Sequence, residues 1–248
     1  MATEVRSKDL QGLKEEIERK TGKTPEQLYE EREKRVRDAI ELKEPDRVPV
    51  VINPNPGIRA GLPEAAAYYD PIAWKEAIRD EALYYETDLA SSGFANSGAT
   101  WEALDVLNRR WPGGTLPPDI PYQFVEGEWM KAEEYDLFLK DPSDFVVRFF
   151  LPRVYGALLP MAKLPPLSLM FTGFDGIAGL FATPEFEQLA KNLHKAGQEL
   201  QKHRQATGDA QEELAQLGFP AFSNAIGAVG GASRHDGNAT RSGESKGK

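Results

Sequence analysis

Apolar positions change their spacing several times along the chain. Between Thr24 and Ile40, Tyr29, Val36 and Ile40 fall on one narrow face, with Glu30, Glu31 and Lys34 elsewhere. Thr24-Pro25-Glu26 ahead of them is an N-cap with proline at the first helical position, so a solvated helix is expected here. The pattern then switches. Val48-Pro49-Val50-Val51-Ile52 holds no polar residue, as a strand buried on both faces of a parallel sheet would. Asn53-Pro54-Asn55-Pro56-Gly57 must be a loop. A helix over 71–85 follows, expected to turn Ile72, Ala73, Ala77, Ala82 and Leu83 inward, and Thr87 to Ser91 reads as a second strand. Strand, loop, helix and strand in that order make a βαβ unit with parallel strands.

Residues 111–183 are rich in proline and aromatic side chains, with short helices expected over 132–140 and 143–159. The segment is too long for an ordinary connection and too apolar for a disordered linker, which predicts a lid over a cavity. Thr183-Pro184-Glu185 opens a further helix, with Phe186, Leu189, Leu193, Gly197 and Leu200 on one face. It should reach Gln216 after a break near Gly208, before a third strand over Leu217 to Phe222. Beyond Val229 no large apolar residue occurs, so this end is expected to be disordered. The chain thus divides into a helical arm over 1–44, a folded body over 45–222 and a polar tail over 223–248.

Charge narrows the possible partners. The net charge is −9, with residues 1–47 at −1, the middle at −10 and residues 219–248 at +2. An acidic chain of this kind is a poor match for phosphate backbones, so no nucleic-acid partner is expected. The charged start is not a secretory signal, and the longest charge-free apolar stretch near the middle, Leu164 to Phe174, is too short for a membrane span. A cytoplasmic protein is the expectation. The absence of cysteine removes disulfides, thiolate nucleophiles and thiolate zinc sites together. His194 and His203 fall half a turn out of phase on one expected helix and His235 lies in the tail, so no metal site is expected. Gly22-Lys23-Thr24 is not a phosphate loop, because Ile17 stands where the motif needs a glycine and a charged helix precedes it.

Several segments carry a resemblance. Lys34-Arg35-Val36-Arg37-Asp38-Ala39 and Glu44-Pro45-Asp46-Arg47-Val48-Pro49-Val50 resemble the opening of the uroporphyrinogen decarboxylase superfamily. Glu126-Gly127-Glu128-Trp129-Met130, Asp136 to Pro142 and Leu151 to Leu158 resemble its decarboxylase-like and corrinoid-linked methyltransferase branch. The resemblance covers about residues 30–222 and implies an α/β fold, a partial TIM-type (β/α)8 barrel here, with a helical arm and a proline- and aromatic-rich lid. It also implies a tetrapyrrole substrate or a corrinoid protein as partner, with carboxyl-group removal or corrinoid-linked methyl transfer as chemistry. A corrinoid or zinc belongs to full-length relatives of this type, and no cofactor is expected in this chain itself.

Two departures stand out. The decarboxylases carry an arginine-rich loop after the first strand, and here only Arg59 remains near that place. The chain also lacks the later strand–helix units of a barrel, which makes a truncated or frame-shifted reading of a longer gene an expectation. The alternative function is therefore a non-catalytic fragment or interaction module, self-associating through an open sheet edge. The site candidates are Asp88 as catalytic carboxylate, with strand-end capping as its other role, and Arg59 and Asn53 as substrate-binding residues. Ser91, Ser92 and Asn96 follow Asp88 where a barrel places its site. Glu126 and Glu128 form a possible acid–base pair or a solvated arm. Trp101, Trp111, Tyr122, Phe124 and Trp129 either line a flat-ring pocket or pack as core.

Overall fold

The computed structural model describes residues 9–52, 55–90 and 96–221. They gather into two units that cut across chain order: the described parts of 1–52, 87–91 and 214–248 form one, and those of 53–86 and 92–213 form the other. The expected tail, Ser91, Ser92 and Asn53 lie outside the described residues.

The first unit opens with α1 (Leu10–Thr21) and α2 (Pro25–Ile40). Asp9 caps α1 by accepting from the Gly12 amide at 2.8 Å, and Gly22, at φ 71°, closes it. Thr24 and Gln27 form a reciprocal capping box at the start of α2. α2 buries Val36, but also Arg32 and Arg35. Arg32 donates to the Gly218 carbonyl at 2.6 Å and lies 4.1 Å over the Phe219 ring. Gly218 has φ 88°, and a Cβ there would meet the Pro25 carbonyl oxygen at 2.8 Å, so only glycine fits this approach.

Three segments of this unit lie side by side. Val51 bridges Leu89 and Ala90 bridges Ala221, both in parallel sense. The Asp88 amide donates to Val50 and the Ala90 amide to Pro220. Each contact stops at a single bridge. The expected partial (β/α)8 barrel is therefore corrected: the described residues are 65% helix and 6% strand, and the sole sheet among them is a two-stranded antiparallel ribbon. Pro49 and Pro220 have no N–H to extend a ladder. Val48, Val50 and Val51, expected to be buried on both faces, are 79%, 44% and 45% exposed. A β-branched apolar run has strand propensity, but it becomes a sheet strand only when neighbours satisfy its backbone on both sides.

The second unit is built from short helices: α3 (Pro56–Ala60), α4 (Ala66–Tyr69), α5 (Pro71–Tyr85) and α6 (Gly98–Leu104). The ribbon of β1 (Arg109–Arg110) and β2 (Gln123–Phe124) follows, then α7 (Tyr135–Lys140), α8 (Pro142–Phe145) and α9 (Leu151–Val154). Last come α10 (Leu167–Phe181), α11 (Pro184–Thr207) and α12 (Ala210–Gln216), whose final residues belong to the first unit. α5 has the expected bounds, and of the residues expected inward Ala77 and Ala82 are buried while Ala73 and Leu83 are half-buried. Ile72 is exposed, and the helix buries Trp74, Ala77, Ile78, Glu81 and Ala82.

Parts of the proline- and aromatic-rich stretch pack as core, while Tyr122, Phe124, Leu139 and Leu159 are exposed. Trp101 packs edge-on against Trp111 with ring centroids 5.2 Å apart, beside Val106, Tyr68 and Tyr155. Leu158 and Leu164 pack on Phe186 and Leu189 of α11. The expected helix over 143–159 is broken into α8, a π-helical turn over Val146–Phe150, α9 and a 3-10 segment over Gly156–Lys163. Pro152 and Pro160 withhold the amides that a continuous helix would use. No helix among the described residues is long and apolar enough to cross a membrane.

Candidate functional site

Asp88 sits at the centre of an ion network within the first unit. Arg35, on the face that α2 buries, donates Nη1 to Asp88 Oδ1 at 2.5 Å. Its Nε and Nη2 grip Asp46 Oδ1 and Oδ2 at 2.7 and 2.6 Å. Arg47 forks onto the other side of Asp88, with Nη1 to Oδ2 at 2.6 Å and Nη2 to Oδ1 at 2.7 Å. The Val50 amide adds a fourth donor to Oδ2 at 2.7 Å. A carboxylate has about four acceptor positions, and all four are taken. The Asp88 side chain is completely buried. With no accessible oxygen, it is wired as an anchor rather than as a group that meets substrate.

The residues that carry the family resemblance, Arg35, Asp46, Arg47 and Val50, are the ones that enclose Asp88. Arg47 forks onto Asp88, while Arg35 gives Asp88 one N–H and turns its fork on Asp46, so the buried carboxylate meets guanidiniums from two directions. The bidentate hydrogen bonds from Arg35 hold the Asp46 carboxyl down to about 2. The same pairing, led by the Asp46 hydrogen bond, raises the Arg35 pKa still further above its ordinary range.

A second arrangement lies in the other unit. Arg59, in the last turn of α3, is exposed and rests its guanidinium 3.5 Å above the Tyr84 ring of α5. Among the described residues it makes no hydrogen bond or ion pair, so its five donors are open to a ligand. One turn back along α5 from Tyr84 and Tyr85, Glu81 is 6% exposed, and its Oε2 has no hydrogen-bond partner. Burial pushes its pKa up, and the charge of Arg59 partly opposes that rise. Glu81 did not stand out in the sequence because a charged side chain is ordinarily read as facing solvent. The available signal was its spacing of seven from Trp74 and three from Ile78, both buried on the same helix.

The remaining candidates scatter. Trp101 and Trp111 are core, Tyr122 and Phe124 are exposed and meet edge-on with ring centroids 5.2 Å apart, and Trp129 borders a cleft. Glu128 lies on the same cleft, and Glu126 does not. No group of three or more histidine, aspartate or glutamate side chains that could hold a metal occurs among the described residues. The chain has no cysteine to supply a thiolate to zinc, and its His194 lies exposed on α11. Compared with known proteins, the chain matches no family model, no curated protein and no solved structure.

Proposed function

We propose that this chain acts on a tetrapyrrole-type ring, in keeping with its resemblance to the uroporphyrinogen decarboxylase superfamily, through Arg59 and Glu81. The observation that supports this reading most directly is Glu81: a buried carboxyl with an unpaired oxygen and a raised pKa, next to a free guanidinium. Arg59, stacked on Tyr84, takes a substrate carboxylate as a fork. Glu81, neutral over a wider pH range than an exposed glutamate, donates a proton to the ring or hydrogen-bonds its edge. In a decarboxylation the carboxyl group leaves as carbon dioxide and a proton takes its place on carbon, which is the step Glu81 can serve. One free arginine suits a ring with few carboxylates better than one bearing eight.

The test is direct. Titration with a corrinoid and with porphyrins of two and eight carboxylates, followed by absorbance, should give saturable binding that favours the low-carboxylate rings. Arg59→Ala should weaken it by about tenfold, the worth of one charge-assisted fork. Lack of binding by all of these rings would overturn the proposal. A second reading rests on Asp88: its enclosure leaves the first unit with a structural carboxylate where the resemblance leads one to look for chemistry. On that reading the chain binds the ring without converting it, and uroporphyrinogen incubated with the protein remains unchanged.

A further inference from the structure

A cleft of about 490 Å³ lies wholly within the second unit, walled by Leu107, Trp129, Phe149, Pro152 and Leu159. That volume falls in the range of small-molecule sites. Three charged side chains also border it: Glu128, Arg148 and Arg153. Their charges do not count equally. Arg148 is clamped by Asp144, with Nε to Oδ1 at 2.7 Å and Nη2 to Oδ2 at 2.6 Å, and its Nη1 donates to the Leu164 carbonyl at 3.1 Å. Arg153 is held by both oxygens of Glu134 and donates to the Trp129 carbonyl at 3.1 Å. Both guanidiniums are therefore neutralised and oriented by their own carboxylates. Glu128 makes no ion pair or hydrogen bond among the described residues.

The charge left over in the cleft is negative, and the Trp129 indole borders the same cleft. Apolar walls with one unpaired carboxylate and an aromatic surface are the chemistry of an organic-cation site. We propose that this cleft binds an ammonium group carried on an apolar body: the ammonium faces Glu128 and Trp129, and the body rests on Phe149, Pro152 and Leu159. This goes beyond the ring-binding proposal and uses none of its residues.

The probe is benzyltrimethylammonium, titrated calorimetrically into the full chain, with phenylacetate as the anion of similar size. Saturable binding of the cation, and none of phenylacetate, is expected. Glu128→Gln, an exposed substitution that leaves folding intact, should weaken the cation about tenfold, within the range of a carboxylate and cation–π contact. Trp129→Leu, which keeps the backbone carbonyl that Arg153 uses, should weaken it as well. Arg59→Ala should leave it unchanged, which separates this site from the ring site. No saturable cation binding, tighter binding of phenylacetate, or an undiminished affinity in Glu128→Gln would each overturn the proposal.

Discussion

Asp88 and Glu81 are both buried acids, one in each unit, and each lies in the field of an arginine. They differ in how completely they are satisfied. Asp88 has four donors on two oxygens, supplied by Arg35, Arg47 and the Val50 amide. Glu81 keeps an oxygen with no partner, and burial raises its pKa. Burial alone does not mark a reactive group. A buried acid with every lone pair occupied stabilises the fold, whereas one left short of donors holds its proton more tightly and has capacity for a ligand.

The comparison can be broken most forcefully at Asp88. Asp88→Ala leaves Arg35 in a buried position without that partner, and the cost should be about 3–5 kcal/mol in urea unfolding monitored by far-UV circular dichroism. A loss below 1 kcal/mol would show that the network is not an anchor. Next in size is Gly218→Ala, which combines a left-handed φ with an approach of 2.8 Å to the Pro25 carbonyl; a loss of about 2 kcal/mol is expected in the same assay. Glu81→Met should move the other way. Replacing a buried, partly unsatisfied carboxyl by an apolar side chain of similar length should raise stability by about 1 kcal/mol, while abolishing any proton donation to a bound ring. A destabilised Glu81→Met protein would mean that the Glu81 carboxyl is satisfied after all.

The smallest effects are those of pH, and the perturbed carboxyls shift in opposite directions. Asp46 and Glu134 are each held down to about 2 by hydrogen bonds, from Arg35 and Arg153 respectively. Their folded-state pKa values lie below the unfolded ones, so the stability they contribute is complete above the ordinary carboxylate range and is lost as pH falls toward 2. Glu81 is raised, so its contribution is complete below its ordinary value and is lost as pH rises through its folded pKa. Thermal melting across pH 2–7 should therefore show an acid-side decline that Asp46→Asn makes shallower. In the Glu81→Met protein the loss of stability on raising the pH from about 4 toward 7 should shrink. An unchanged profile in both variants would remove these groups from the pH response.

Much of the local structure was legible along the chain. Thr24, Pro71 and Pro184 mark helix starts because an N-cap and a proline at the first turn act within a few residues. The break near Gly208 between α11 and α12 is of the same kind. The motif of Pro45-Asp46-Arg47 was visible, but its role was not, since Arg35, Asp46, Arg47 and Asp88 are brought together from positions up to 53 residues apart. The barrel expectation failed at Val48–Ile52 for a related reason. An apolar β-branched run states a preference for extended backbone, and says nothing about whether a neighbour arrives on each edge.

Sequence by itself determined where helices begin, where prolines interrupt them, that thiol chemistry is absent and that apolar side chains concentrate in the middle of the chain. These properties depend on single residues or on neighbours within a turn or two. Only the tertiary structure decided that Asp88 is enclosed, that Glu81 is not fully paired, that Trp101 and Trp111 are core while Trp129 borders a cleft, and that Glu128 is the charge left uncompensated there. Hydrogen-bond satisfaction and charge neutralisation depend on which distant groups arrive within about 3 Å. That is set by how the helices pack, and no local pattern encodes it.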